Sequence, residues 1–162
     1  MAVCLCVFAS CGEKTQSASL EEIYSSLQSV ANMPEMTVMP DDLITTLFGF
    51  DTAMFEEYVF AEATAPDVNA DVIIMAKVIN ESDIDSVCET LDGYLASVKD
   101  YTESYSPVNF AKTANSKVTV AGNCVYLIIT SEYFEAEQIV MNNLKGLIKS
   151  NVETVKEAET VD

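Results

Sequence analysis

The sequence predicts an α+β fold in which helices pack on a face of one antiparallel sheet. Helical and strand patterns follow one another as a helix, a short helix and then two units, each a β-hairpin followed by a helix. Such an order favours a single antiparallel sheet with helices against it. The 162 residues fit one domain, and no linker that could divide it follows Ser19. We therefore expect a single α+β domain over residues 19–150.

The first two helices are predicted from their ends. Ser19 and Glu22 form a capping-box pattern, and apolar residues then recur at helical spacing. Pro34 indicates that this helix has ended, and the chain between Pro34 and Pro40 has the character of an extended loop. A short second helix opens at Pro40, and its C-cap is predicted at Gly49.

The first hairpin is predicted from two apolar segments and a turn. Phe55–Ala63 and Asp71–Ile79 have the composition of strands. Pro66–Asn69 contains the residues that favour a turn. The second strand is apolar on both faces except at Lys77, which indicates that it lies in the middle of the fold.

The long helix that follows carries an apolar stripe from Ile84 to Val98. Beyond it, Tyr101–Pro107 is aromatic, and we expect an irregular segment. Tyr101 and Tyr105 then have two interpretations: an exposed patch that contacts a ligand, or aromatic residues that close the core under a loop.

The second hairpin has the clearest turn signal in the chain. Gly122-Asn123 joins apolar strands over Lys117–Ala121 and Cys124–Thr130. A final helix is predicted over about residues 133–150. Residues 151–162 are polar and acidic, and they form a predicted acidic tail.

The charge of the chain excludes several classes of function. It has 26 acidic and 8 basic residues, a net charge of −18, and no His or Trp; every basic residue is a lysine. Phosphate backbones repel such a chain, so we expect no nucleic-acid partner. Without His and Arg there is no Ser-His-Asp triad, no His-ligated metal and no bidentate phosphate clamp. We expect no cofactor.

The first eleven residues predict an export signal. Residues 1–10 are uncharged, and Phe8–Cys11 resembles the bacterial lipobox, whose Cys is diacylated and becomes the first residue of the mature protein. We predict a signal peptide over residues 1–10, lipid attachment at Cys11 and a tether over residues 11–18. A positive n-region is missing, so we expect the true start to lie upstream of Met1. The alternative is a buried N-terminal element with an incidental cysteine.

The other cysteines allow one internal disulfide. Cys4 and Cys6 lie in the predicted signal peptide. If Cys11 is acylated, only Cys88 and Cys124 can pair. Spacing alone does not give their Cα separation, and we favour the alternative that both are small buried hydrophobic residues.

Lys77 is the one charged residue inside an apolar strand, and it has two interpretations. It could contact an anionic ligand or serve as a general base with a perturbed pKa. It could instead lie on a partly solvated sheet face and form an ion pair with Glu57 or Glu62. We favour the ion pair and keep Lys77 as a possible ligand contact.

The acidic residues do not form a recognisable metal or catalytic motif. Asp67–Asp71 matches the D-x-N-x-D opening of a calcium loop, but Val72 replaces the required Gly and Val78 replaces the bidentate Glu. We predict a solvated turn and no metal site. Adjacent acids such as Glu56-Glu57 could serve a glycosidase only if they faced each other across a cleft.

Longer segments resemble one bacterial family. The segments are LEEIYSSL, DLITTLFGFDTAMFEEYV, ADVIIMAKV and Gly122-Asn123 before an apolar strand, spread over residues 20–130. They resemble the domain-of-unknown-function 4358 family, which is known mainly from clostridia and their relatives. The resemblance implies a secreted, lipid-anchored single domain, and it supplies no catalytic residue.

These observations favour a lipid-anchored extracytoplasmic protein on the outer face of a Gram-positive-type cell membrane. We expect a non-enzymatic module that binds an unidentified envelope protein or ligand, because the sequence contains no motif that combines a nucleophile with a base. One alternative is an envelope enzyme that uses Lys77 or acidic residues. Another is a structural subunit of an envelope assembly, which an exposed apolar patch would indicate.

Overall fold

The computed structural model describes residues 18–29 and 33–144, and it confirms the α+β class. Within these residues, five α-helices pack against one five-stranded antiparallel sheet. The predicted signal peptide, Cys11, residues 145–150 of the predicted last helix and the predicted acidic tail lie outside the described residues. None of the described helices is long and apolar enough to cross a membrane.

The two predicted hairpins form the centre and one side of the sheet. The strand order is β1-β2-β3-β5-β4, and every neighbouring pair is antiparallel. The extended segment before the second helix adds the edge strand β1. The strands are β1 (Met36–Val38), β2 (Phe55–Ala63), β3 (Val72–Val78), β4 (Val118–Ala121) and β5 (Cys124–Ile129).

The helices follow the predicted order with one addition after the long helix. Short 3-10 turns at Thr52–Met54 and Glu81–Asp83 precede β2 and the long helix. The α-helices are α1 (Leu20–Leu27), α2 (Asp41–Phe48), α3 (Ile84–Tyr105), α4 (Pro107–Thr113) and α5 (residues 133–144).

The local signals at the helix ends are confirmed. The Ser19 side chain accepts from the Glu22 backbone N–H at 3.1 Å, and the Glu22 carboxylate accepts from the Ser19 N–H at 2.9 Å. This is the reciprocal capping box that the sequence predicts. Gly49 closes α2 with a φ of 72°, a left-handed conformation that glycine adopts without strain.

The helices cover both faces of the sheet. One face, called face A, packs against α1 and α5; the opposite face, called face B, packs against α2 and α3. Because β3 is central and covered on both sides, all seven of its residues are buried. The sequence prediction placed helices on a face and did not separate these two layers.

The prediction of an irregular segment over Tyr101–Pro107 is wrong. The α3 helix continues to Tyr105, and Ser106 then leaves the helical region with φ −150° and ψ 84° before α4 begins. Pro107 disfavours the helical conformation at the residue before it, which explains this break. The buried stripe of α3 continues through Thr102, whose hydroxyl donates to the Val98 carbonyl at 2.7 Å. Its polarity hid the helical pattern.

Candidate functional site

A cavity of about 310 Å³ lies where the end of the β2–β3 hairpin meets the second half of α3 and the start of α4. This volume is at the lower end of the range for small-molecule pockets. Three tyrosines and three acidic residues are among those that line it: Tyr94, Tyr101, Tyr105, Glu62, Asp67 and Asp71.

The α3 helix supplies the aromatic wall of the cavity. Tyr94, Tyr101 and Tyr105 are separated by seven and four residues, a spacing that places them on one side of a helix. Tyr94 is partly buried, and its ring packs at 5.0 Å from the ring of Phe48. The rings of Tyr101 and Tyr105 contact each other at 5.2 Å and are 57% and 75% exposed. The wall therefore has a fixed inner end and an exposed aromatic rim.

Asp71 is the buried acidic residue of the cavity wall. It directly precedes β3, and its side chain has no exposed area. One carboxylate oxygen, Oδ2, accepts a hydrogen bond from the ammonium group of Lys112 on α4. The other oxygen, Oδ1, is buried without a hydrogen-bond partner among the described residues. A buried carboxylate oxygen that lacks a donor is costly, and such groups mark strained or functional positions.

The α4 helix holds the turn that carries the acidic residues. The side chain of Asn109 donates to the Val68 carbonyl at 2.9 Å and accepts from the Ala70 N–H at 3.2 Å. Lys112 also lies 3.4 Å from the side chain of Asn69. The predicted solvated turn is thus present but is tied to α4, and Asp71 at its end is directed inward. Among the described residues, no group of three or more acidic or cysteine side chains is placed to hold a metal ion.

The cavity carries a negative charge. Glu62 and Asp67 form no ion pair in the described part of the chain, and no lysine is among the lining residues. Burial, together with the negative charge of Glu62, raises the pKa of Tyr94 to about 12. The tyrosine hydroxyl is therefore neutral at physiological pH, and the carboxylates dominate the local field.

Lys77 lies on the opposite face and near the opposite end of β3 from the cavity. Its side chain packs on face A, and its ammonium group is 2.5 Å from Glu57 Oε2. The other oxygen of Glu57 accepts from the Leu20 N–H at the start of α1. A bulge in β2 between Phe55 and Glu57 directs Phe55 to face B and Glu57 towards Lys77. The structure therefore does not bring Lys77 together with Tyr101 and Tyr105.

The two described cysteines are free and lie on opposite faces of the sheet. Cys124 belongs to the core on face A, whereas Cys88 packs against the core on face B. Burial raises the pKa of the Cys124 thiol to about 12. Both cysteines thus pack as small hydrophobic residues, and the sheet separates them.

A second cavity of about 540 Å³ lies between β4 and α5. Its charged groups, Lys117 and Glu137, lie 3.4 Å apart and compensate each other. Glu137 also accepts a hydrogen bond from the Tyr133 hydroxyl at 2.8 Å. Because its charged groups already have partners, this cavity is a weaker candidate than the one beside Asp71.

The sequence indicated the two exposed tyrosines as ligand contacts and Asp71 only as part of a calcium-like turn. It did not indicate Glu62 as a site residue or the role of α4. The contacts that build the cavity join residues far apart in the sequence. Asp71 and Lys112, for example, are separated by 41 positions. A weak signal was available, since Asp71 is an acidic residue directly before a fully apolar strand.

Comparison with known proteins identifies a family. The family model described as a domain of unknown function, DUF4358, matches residues 28–130, which is more than half of the chain. The chain therefore belongs to this family. No curated protein and no solved structure matches it. The matched range contains every residue that lines the cavity beside Asp71, whereas α1 and α5 lie outside it.

Proposed function

We propose that this member of the domain-of-unknown-function 4358 family is a non-enzymatic binding module, and that the cavity beside Asp71 receives its ligand. One observation carries the proposal. A cavity of ligand size combines an exposed aromatic rim with a buried carboxylate oxygen that has no hydrogen-bond partner among the described residues. Pockets of this kind are the default candidates for small-molecule sites.

The chemistry of the cavity supports binding rather than catalysis. A general acid or base works best when its pKa is close to the operating pH. The pKa of Tyr94 is about 12, which keeps its proton in place near neutral pH. No cysteine or lysine is among the residues that line the cavity. Tyr94 and the carboxylates can therefore orient a bound molecule, but no activated nucleophile lies beside them.

We also propose that the module is held at the extracytoplasmic face of the cell membrane through a lipid on Cys11. The lipobox-like Phe8–Cys11 supports this anchor, and two acyl chains give stable attachment. The tether leads into α1, whose first N–H contacts Glu57 beside Lys77. The cavity lies at the other end of β3, about 17 Å along the strand. The start of α1, to which the predicted tether is joined, and the cavity are therefore near opposite ends of β3.

The anchor is tested by replacing Cys11. The Cys11→Ala variant and the unmodified chain are expressed in a bacterium that processes lipoproteins, and membranes are washed at high salt. We expect the unmodified chain to remain with the membranes and the variant to be released. Membrane retention of the variant would contradict the anchor.

The binding proposal is tested with a panel of small neutral, anionic and cationic compounds and saturation-transfer NMR. We expect compounds that bind to lose their signal with the Tyr101→Ser/Tyr105→Ser variant. Phe134→Ser is the matched control, because Phe134 is also an exposed aromatic residue, 64% exposed, and lies on α5. If no compound of any charge binds, or if binding is insensitive to the tyrosines, the binding proposal is wrong.

A further inference from the structure

We infer that the ligand of this cavity carries a primary ammonium group on a short apolar chain. The inference rests on the proposed binding function and specifies its ligand class. It follows from three features of the cavity wall: its uncompensated charge, the unpartnered oxygen of Asp71 and the arrangement of the tyrosines.

The charge of the wall selects a cation. Three carboxylates line the cavity, and Lys112 pairs with one of them, Asp71. Glu62 and Asp67 have no ion pair within residues 18–29 and 33–144. An anionic ligand would meet these carboxylates with no cationic residue in the lining, whereas a cation offsets their charge.

Asp71 selects a cation that can donate hydrogen bonds. Its Oδ1 is buried and has no donor among the residues that the structure describes, while Oδ2 accepts from Lys112. Because Oδ1 has no exposed area, an ammonium ligand reaches it only if the Asp71 carboxylate rotates towards the cavity. The charge-assisted hydrogen bond that would then form belongs to one of the stronger classes. A primary ammonium group has three N–H donors, whereas a quaternary ammonium group has none. The position of Asp71 thus distinguishes between two kinds of organic cation.

The tyrosines select the remainder of the ligand. Tyr94 is partly buried, and Tyr101 and Tyr105 form the rim. Aromatic faces attract a nearby cation and cover an alkyl chain with apolar surface. A volume of about 310 Å³ suits a small molecule rather than a long chain. The same ammonium chemistry is presented by a free alkylamine and by a lysine side chain of a peptide.

The inference is tested by isothermal titration calorimetry at constant ionic strength with four probes of similar size. They are n-pentylamine, 1-pentanol, pentanoate and N,N,N-trimethylpentylammonium. We expect n-pentylamine to bind most tightly, with an advantage of about tenfold over the alcohol and the quaternary ion. Pentanoate should give no heat of binding. A fifth titration uses Nα-acetyl-lysine amide, which keeps the side-chain ammonium group. Its affinity, compared with that of n-pentylamine, distinguishes a lysine in a peptide from a free amine.

Matched variants distinguish binding in the cavity from general electrostatic attraction of a cation to a chain with a net charge of −18. Glu62→Gln removes a charge from the cavity, and Glu56→Gln removes one from an exposed position on the same strand. We expect Glu62→Gln to weaken n-pentylamine binding several-fold and Glu56→Gln to leave it unchanged. Asp71→Asn should weaken it further; if that variant does not fold, the glutamate pair still decides the result.

The outcomes distinguish the inference from the proposed function. If 1-pentanol, pentanoate or the quaternary ion binds the cavity as tightly as n-pentylamine, the ammonium inference is wrong but the binding module stands. Equal weakening by Glu62→Gln and Glu56→Gln would also overturn the inference, since it would show diffuse attraction. If neither these probes nor the wider panel binds, the proposed function itself fails. Tight n-pentylamine binding that depends on Glu62 supports both.

Discussion

Two lysine–carboxylate pairs lie near opposite ends of β3, and they differ in how completely the carboxylate is satisfied. Both oxygens of Glu57 are bonded, one to Lys77 and one to the first N–H of α1. Within the described part of the chain, only one oxygen of Asp71 is bonded, to Lys112. The Glu57 side chain is 29% exposed, whereas that of Asp71 is fully buried and borders a cavity.

This difference is the reason for assigning a structural role to the Lys77–Glu57 pair and for including the Lys112–Asp71 pair in the proposed site. The Lys77–Glu57 pair fastens α1 to the sheet and leaves no polar atom to be satisfied. The Lys112–Asp71 pair fastens α4 to the start of β3 but leaves a buried carboxylate oxygen without a hydrogen-bond partner among the described residues. A charged residue inside an apolar strand, as Lys77 is, was the more conspicuous candidate in the sequence, yet its contacts are the ones that are complete.

The largest expected effect comes from breaking the more deeply buried pair. Lys112→Met leaves the Asp71 carboxylate without a described partner on either oxygen. Removing one partner of a buried pair costs about 3–5 kcal/mol of unfolding free energy. Urea denaturation followed by circular dichroism measures this loss. The double variant Lys112→Met/Asp71→Asn should recover part of it, because the buried charge is gone. No recovery would mean that Lys112 stabilises the fold in some other way.

A smaller effect is expected at the satisfied pair. Lys77→Met leaves Glu57 partly exposed and still bonded to the Leu20 N–H. We therefore expect a loss of about 1–3 kcal/mol in the same urea experiment, the range for one lost partner. A loss larger than that of Lys112→Met would reverse the comparison between the pairs.

Alkaline pH should affect both regions, because an acid with a raised pKa lies in each of them. Cys124 pairs across the strands with Lys77, and burial raises its pKa from 9.0 to about 12. Tyr94 lines the cavity, and its pKa rises from 10.0 to about 12. The unfolded chain loses these protons first, so stability falls as pH rises from about 9 towards 12.

Replacing either acid should make the free energy of unfolding decrease less steeply as the pH rises. Each proton contributes about 1.4 kcal/mol per pH unit within its window. Cys124→Val should reduce the slope from about pH 9, whereas Tyr94→Phe should reduce it only above about pH 10. Urea unfolding at several pH values measures the slopes. A slope unchanged in both variants would show that neither group titrates on unfolding.

The smallest expected effect is that of a reductant. Cys88 and Cys124 lie on opposite faces of the sheet and are both free. We therefore expect the same Tm for the folded domain with and without dithiothreitol, measured by scanning calorimetry. A lowering that corresponds to a disulfide, about 2–5 kcal/mol, would contradict the separation of the two cysteines.

The sequence was sufficient where a signal is local. The capping box at Ser19, the C-cap at Gly49 and the hairpin turn at Gly122-Asn123 each depend on residues within a few positions. The end of α3 was missed because Thr102 is a polar residue in a buried stripe. Propensity alone does not show that a hydroxyl will bond back to its own helix.

The candidate site was only partly predictable, because long-range contacts build it. Tyr101 and Tyr105 stood out as aromatic residues after a helical stripe, and both line the cavity. Asp71 stood out only as part of a turn, and nothing in its neighbourhood indicates Lys112 or Asn109 on α4. Sequence periodicity describes one element at a time, whereas this cavity requires a hairpin end and two helices to meet.

We propose that the cavity beside Asp71, and not the region of Lys77, binds the ligand. A two-dimensional NMR titration of the uniformly ¹⁵N-labelled domain with n-pentylamine tests it most directly. We expect the largest amide shift changes at residues 69–72 and 101–109, with little change around Glu57 and Lys77. The largest changes around Lys77, or equal changes over the whole acidic surface, would contradict the claim.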